Sequence, residues 1–281
     1  MLSYRHAFHA GNHADVLKHI VLIHLLDHLA QKDKPVWYVD THAGAAIHAL
    51  DSAYALKNAE FETGIARLWN DPDEPPAARE YLEFIRSLNP DGGLRSYPGS
   101  ALIASRRLRD RDRIRLFELH STESRELQRH FAAISPRVIV KAADGFDGLR
   151  SVLPPASRRG LVLMDPSYED KGDYLRVRDS LRDALDRFAT GVYAVWYPIV
   201  QRRESAQLPI ALKKLAAKDW LHATLTIKSP SEDGYGLHGS GIFVVNPPWT
   251  LPGMLKVLMP FLVRRLGQDA FASYRLESEI S

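Results

Sequence analysis

Four short apolar runs in this 281-residue chain each end at an acidic residue. The run 36–39 breaks into Asp40-Thr41-His42-Ala43-Gly44, and 113–119 carries Glu118 near its end. The run 137–143 gives way to Asp144-Gly145, and 160–165 ends in Asp165-Pro166-Ser167-Tyr168. One acid after a strand is more often a helix cap or a loop polar group. Four at successive strand ends are harder to dismiss, because carboxylates near one crevice repel unless a ligand or hydrogen-bond donors occupy it. Gly44 would let backbone approach a ligand closely, Asp40 could order the loop, and Glu118 suits two hydrogen bonds from a ribose diol.

The tetrapeptide Asp165–Tyr168 speaks to a reaction. The exocyclic amine of adenine is a poor nucleophile because its lone pair is delocalised into the ring. An enzyme that methylates it must therefore accept hydrogen bonds from the NH2 group. The Asp165 carboxylate and the Pro166 carbonyl can do that, and the ring of Tyr168 offers a face for the base to stack on. Asp165 can also take the released proton. The chain has no GxxxxGK[ST] and no GxGxxG, which disfavours phosphate binding at the crevice. A nucleoside cofactor without phosphates remains, and S-adenosylmethionine fits that description.

The elements that must position these residues are strands alternating with helices. Asn12 caps a helix predicted over 12–34, with apolar Val16, Leu17, Ile20, Val21 and Leu25 and a basic end before Pro35. Tyr174, Val177, Leu181, Leu185 and Phe188 follow a 3.6-residue period, predicting an amphipathic helix over 173–189. Nearly all-apolar strands between helices imply a parallel sheet covered on both faces, with any ligand at the carboxyl ends of the strands. The runs 222–228 and 241–245 are joined by a Gly/Ser-rich loop without a helix, which predicts an antiparallel hairpin at the sheet edge. Residues 48–95 are too long for a crossover and read as a helical insertion in a single domain spanning 1–281.

Composition bounds the rest. At 45% hydrophobic and 25% charged the chain is globular, and without cysteine it has no disulfide, thiolate metal site or thiol nucleophile. No apolar run reaches the roughly 18 residues of a membrane span, and the polar start does not read as a signal peptide, so a cytoplasmic protein is expected. The net charge of +3 permits an acidic partner without requiring one.

The segments MLSYRHAFHAGNHADVLKH, DTHAGA, YPGS, ADGF, SRRGLVLMDPSYE, FATGVYAVWYP and NPPW, in order over nearly the whole chain, resemble the RlmJ family of bacterial 23S ribosomal RNA adenine-N6 methyltransferases. The resemblance implies a Rossmann-like class I methyltransferase sheet, mostly parallel with an antiparallel C-terminal hairpin, and S-adenosylmethionine as cofactor. It implies a cofactor site at His19, His42, Ser100, Glu118, Asp144, Gly145 and Asp165, with Asp165 catalytic and 23S ribosomal RNA as substrate. Tyr4, His6 and Lys18 become candidates for the target-base pocket beside Pro166 and Tyr168. No membrane and no obligate protein partner is expected, and the chain is expected to be a monomer.

Two positions depart from the amino-methylase pattern. Ser167 replaces the second proline of the tetrapeptide, and Ala46 replaces a loop glycine, which is tolerable if Ala46 already lies in a helix. Asn246-Pro247-Pro248-Trp249 matches the tetrapeptide signature better letter for letter. It follows the last strand of the hairpin, however, and reads as a proline-rich exit into the next helix.

Eight of the twelve histidines precede residue 50, and His9/His13 and His24/His28 are spaced for a shared helix face. Without HExxH or a third ligand, no metal is assigned. The stretch 105–115 holds six arginines and two aspartates; with Arg158, Arg159, Arg202 and Arg203 it reads either as a solvated helix end or as a basic rim for RNA. Rival readings are methylation of DNA adenine or a protein glutamine amide, a His-ligated metal hydrolase, and a non-catalytic RNA-binding protein.

Overall fold

The computed structural model describes residues 6–132, 136–216, 218–234 and 236–280. A short 3-10 turn at His6–Phe8 leads into α1 (His13–Ala30). Asn12 starts α1 as expected: its backbone is extended, and its side-chain oxygen accepts from the Ala14 and Asp15 amides at 3.0 Å each. The helix stops short of Lys34, at Ala30, and two arginines take up carbonyls at and just beyond its end. Arg109 donates to the Ala30 and Lys32 oxygens, and Arg159 donates to those of Leu29 and Lys34.

After β1 (Trp37–Asp40) come β2 (Ile47–Ala49), α2 (Ala53–Asn58), α3 (Pro76–Ser87), β3 (Ser96–Pro98) and α4 (Ser100–Arg107). The segment 48–95, expected to be a helical insertion, is closed off by two short strands at its ends, β2 and β3, which pair antiparallel with His48 opposite Tyr97. Ala46 lies in a bend before β2 and not in a helix, so the condition set for it is not met. Its β-carbon is accommodated because the residue packs into the core, while its carbonyl accepts from the Gly99 amide.

The main sheet is built from β4 (Arg113–Phe117), α5 (Ser121–Ala132), β5 (Val138–Lys141), α6 (Gly145–Val152), β6 (Gly160–Met164), α7 (Gly172–Arg187) and β7 (Val192–Ile199). It continues with α8 (Arg203–Ala216), β8 (Trp220–Thr226), β9 (Gly239–Val245), α9 (Leu251–Leu266) and β10 (Ser273–Glu279). The strand order is β10-β8-β9-β7-β6-β1-β4-β5, parallel from β7 through β5 and antiparallel from β9 outward. The fold is the expected mostly parallel α/β sheet with an antiparallel C-terminal edge.

Alternation along β6 shows why its strands read as unbroken apolar runs. Leu161 and Leu163 pack into one core with α1, α4 and α9, while Val162 and Met164 pack into the other with α7. The edge strand β10, absent from the sequence expectations, is nearly all exposed and polar, so it carries no burial pattern to read.

Candidate active site

From β1 the chain steps outward to β4 and β5, then crosses back to β6 and β7, so the strand order reverses beside β1. A cleft opens at the carboxyl ends of β6, β1 and β4, the expected place for a ligand in such a sheet.

The acids expected at the strand ends divide by role. Asp40 is fully buried and lies behind the cleft wall. Its carboxylate accepts from the Tyr38 hydroxyl at 2.7 Å, the Ser100 hydroxyl at 2.6 Å and the His42 amide at 3.2 Å. Burial raises its pKa to about 6 against the pull of these donors. Asp40 therefore orders the loop, and Ser100 lines the cleft. Glu118 does line it, with one oxygen accepting from the Gly44 amide at 2.8 Å and the other from the His120 amide at 2.6 Å. Gly44, at φ +57, is held in the left-handed conformation that lets its N–H turn toward that carboxylate.

Asp144 caps α6 through one oxygen, accepting from the Phe146 amide at 2.9 Å, and meets Arg176 at 2.6 Å through the other. Against the upward push of burial, Arg176 holds the Asp144 carboxyl below its usual range. Gly145 sits against the first loop so closely that a β-carbon there would lie 1.8 Å from the Thr41 carbonyl oxygen. The Asp-Gly pair thus makes a cradle that only glycine permits. His42 packs edge-on to Phe146, and burial pushes it down to about 4, so it is neutral. His19 is likewise neutral, pushed by burial to about 3, and its Nδ1 lies 2.9 Å from the Tyr97 hydroxyl.

Asp165 follows β6 at the other side of the cleft, beside Pro166 and Ser167. Lys18 Nζ donates to Asp165 Oδ2 at 2.5 Å and sits 5.7 Å from the centroid of the Trp196 ring. Burial alone would lower the Lys18 pKa, but Asp15 and Asp165 together raise it, so the ammonium is permanent. His6 also lines the cleft, while Tyr4 lies outside the described residues.

Tyr168 departs from its expected role. Its ring is 2% exposed and packs among Tyr174 and Trp196, with its hydroxyl donating to the Trp196 carbonyl at 2.7 Å. The backbone at φ +54 turns the side chain away from the cleft and into the core. In this arrangement Tyr168 braces the loop and offers no free face for a base. Ser167, the residue that departs from the signature, lines the cleft in its place.

The arginine-rich rim also divides. Arg109, Arg113 and Arg159 lie at the amino ends of the parallel strands, away from the cleft, and their guanidinium groups bond to protein oxygens. Arg202 follows the carboxyl end of β7, on the cleft side, and donates to the Tyr168 carbonyl at 3.2 Å. Among the described residues no three His, Asp or Glu side chains are grouped to hold a metal. His9 instead meets Glu60 at 2.8 Å, and His24 meets Thr250 at 2.9 Å.

Sequence reasoning did not single out His48 and Glu123, both of which line the cleft. Burial pushes His48 down to about 3 and, aided by the Glu118 charge, lifts Glu123 to about 7. His48 arrives on β2 and Glu123 on the first turn of α5, where no linear motif marks either one.

No helix among the described residues is long and apolar enough to cross a membrane. The chain is 44% identical over 266 residues to ribosomal RNA large subunit methyltransferase J of Escherichia coli K12, covering 95% of this chain and 94% of the relative. It is 42% identical over 278 residues to the Haemophilus influenzae protein of the same name, covering 99% and 98%. A crystal structure of a Legionella pneumophila protein superposes with a TM-score of 0.89 at 35% identity, covering 96% of this chain and 98% of that one. Residues 33–278 match the family described as ribosomal RNA large subunit methyltransferase D, RlmJ, and the chain belongs to that methyltransferase family.

Proposed function

We propose that the chain, acting as a monomeric catalytic unit over residues 1–281, uses S-adenosylmethionine to methylate the exocyclic N6 amine of an adenine in 23S ribosomal RNA. The observation that carries this reading is the position of Asp165. It stands at the switch point of the sheet, facing the same cleft as the Glu118, Asp144-Gly145 and Ser100 walls. The cofactor fits those walls. Glu118 retains lone pairs for a diol, and Gly145 lines the cleft while packing directly against the Thr41 backbone of the first loop. The surplus of carboxylates over cations lining the cleft suits a sulfonium. His19, His42, Ser100, Glu118, Asp144, Gly145 and Asp165 would hold it. When bound, it supplies an electrophilic methyl group and needs no metal.

The chain's own residues then act on the base. Asp165 and the Pro166 carbonyl accept hydrogen bonds from the amine, directing its lone pair toward the methyl group. As the N–C bond forms, the nitrogen gives up a proton, and Asp165 is placed to receive it. Lys18 holds Asp165 in place, and His6 borders the base pocket in this reading. Access requires an unpaired or flipped adenine, because an amine that is paired and stacked in a duplex is not free to meet Asp165.

The test is transfer of a labelled methyl group to ribosomal RNA, DNA and protein fractions, followed by digestion of the RNA to nucleosides. Label recovered as N6-methyladenosine from 23S ribosomal RNA is expected. Label confined to DNA or protein would overturn the assignment.

A further inference from the structure

A buried carboxylate stands behind the site without a role in the chemistry so far. Asp15, in the first turn of α1, is 1% exposed. Its Oδ2 accepts from the Gly11 amide and from His6 Nε2, both at 2.9 Å, and its Oδ1 lies 2.8 Å from Lys18 Nζ. Lys18 reaches on to Asp165. Two carboxylates therefore share one buried ammonium, and the rear one also holds the imidazole. Among the described residues, Asp165 Oδ1 takes no hydrogen bond. Were Lys18 drawn to Asp165 alone, the flexible ammonium would be free to cover both of its oxygens and weaken it as an acceptor for the amine.

We propose that Asp15 is a positioning residue for methyl transfer, holding Lys18 and His6 from behind so that Asp165 keeps one oxygen free for the target amine. This rests on the adenine-amine reading above.

Asp15 is faced by His13, Lys18 and His19 of its own helix, His6 of the preceding turn, His48 of β2, Tyr81 of α3 and Tyr97 of β3. Burial pushes His13 to about 4 and His19 and His48 to about 3, and it lifts both phenols far up. None of these titrates near neutrality. His6 differs: burial would lower it, but the Asp15 charge and hydrogen bond raise it above its ordinary value. His6 and Lys18 are the side chains bonded directly to Asp15, and Lys18 carries its position on to Asp165.

Asp15→Asn keeps the shape and removes the charge. The variant is expected to bind S-adenosylhomocysteine within about twofold of wild type by calorimetry, with kcat on ribosomal RNA lowered about tenfold or more. The Asp15 charge and hydrogen bond are what raise His6, so in Asp15→Asn the limb of kcat against pH that His6 sets should move down by about half a unit or more. Asp15→Glu keeps the charge but displaces it by one methylene; it should lower kcat with the limb in place, and it carries the test if the Asn variant does not fold. Wild-type kcat in either variant overturns the proposal, as does a lowered kcat in Asp15→Asn with an unmoved limb, which would mark a merely structural carboxylate. If the wild-type enzyme methylates no adenine in ribosomal RNA, the functional reading fails instead, before any variant is compared.

Discussion

Asp165–Tyr168 and Asn246–Trp249 are near-synonyms as text and opposites as structure. The first follows β6, a parallel strand, and opens on the cleft. The second follows β9, which runs antiparallel to β7 with Val245 opposite Tyr193 at the start of that strand, so it emerges at the far end of the sheet. Both loops contain a residue near φ +54, Tyr168 in one and Asn246 in the other, and each is held by its side chain. Tyr168 anchors through its hydroxyl to Trp196, leaving the Asp165 carboxylate to Lys18 and the cleft. Asn246 spends its own amide on the loop, donating to the Ala189 and Gly191 carbonyls at 2.8 and 2.6 Å. A polar group committed to backbone cannot also serve a substrate, whatever its letter pattern.

The contrast is broken most directly by paired substitutions. Asp165→Ala should lower methyl transfer by about 10²–10⁴-fold while retaining S-adenosylhomocysteine binding by calorimetry. Near-normal turnover would remove Asp165 from the mechanism. Gly145→Ala places a methyl group where the Thr41 carbonyl lies, so cofactor affinity should fall by about tenfold or more, read as Kd in the same titration. An unchanged Kd would show that the cradle does not contact the cofactor.

Asn246→Ala should do the reverse of Asp165→Ala. It loses two hydrogen bonds and strains a left-handed residue, costing about 1–3 kcal/mol in urea denaturation, with kcat of the folded enzyme within about twofold of wild type. A large loss of kcat in that stable fraction would return the second tetrapeptide to contention.

The two ends should also differ in acid. His19, His42 and His48 line the cleft with pKa values pushed by burial to about 3 to 4, against about 6.5 when unfolded. Each binds more proton unfolded than folded, so the stability it contributes is complete above pH 6.5 and is lost as pH falls toward 4. Asp40, raised to about 6, has the opposite sign and stabilises on protonation, but it is one group against three. Hydrogen exchange at pH 5 should therefore show amides of the loop 41–46 losing protection before those of 246–251. Equal losses would place the acid-sensitive groups elsewhere. The smallest effect belongs to Trp249, 79% exposed, whose replacement by Ala should change stability by less than about 0.5 kcal/mol and leave activity alone.

The legibility of the site follows the same division. Strand ends were readable because buried parallel strands are apolar throughout and stop abruptly at polar residues, so Glu118, Asp144 and Asp165 stood out. Topology could choose between the two tetrapeptides in advance, since a hairpin without a helix must reverse direction. His48 and Glu123 were not readable, because nothing in their neighbours differs from an ordinary strand or helix start. The role of Tyr168 was misread, since its ring direction depends on a left-handed backbone that no local pattern announces. Composition alone could not divide the arginines between the two ends of the sheet, and only the fold puts Arg109 and Arg159 at the carbonyls of α1.

The sequence by itself determined the alternating α/β order, the carboxyl-end acids and the glycine beside Asp144, because burial periodicity and backbone sterics act over a few residues. Only the tertiary structure decided which acids face the cleft and which, like Asp40 and Asp15, stand behind it. It also decided that Lys18 joins Asp165 across 147 residues of chain. Those outcomes depend on how helices and strands distant in sequence pack together, and on the low-dielectric interior that fixes each charge beside its partner.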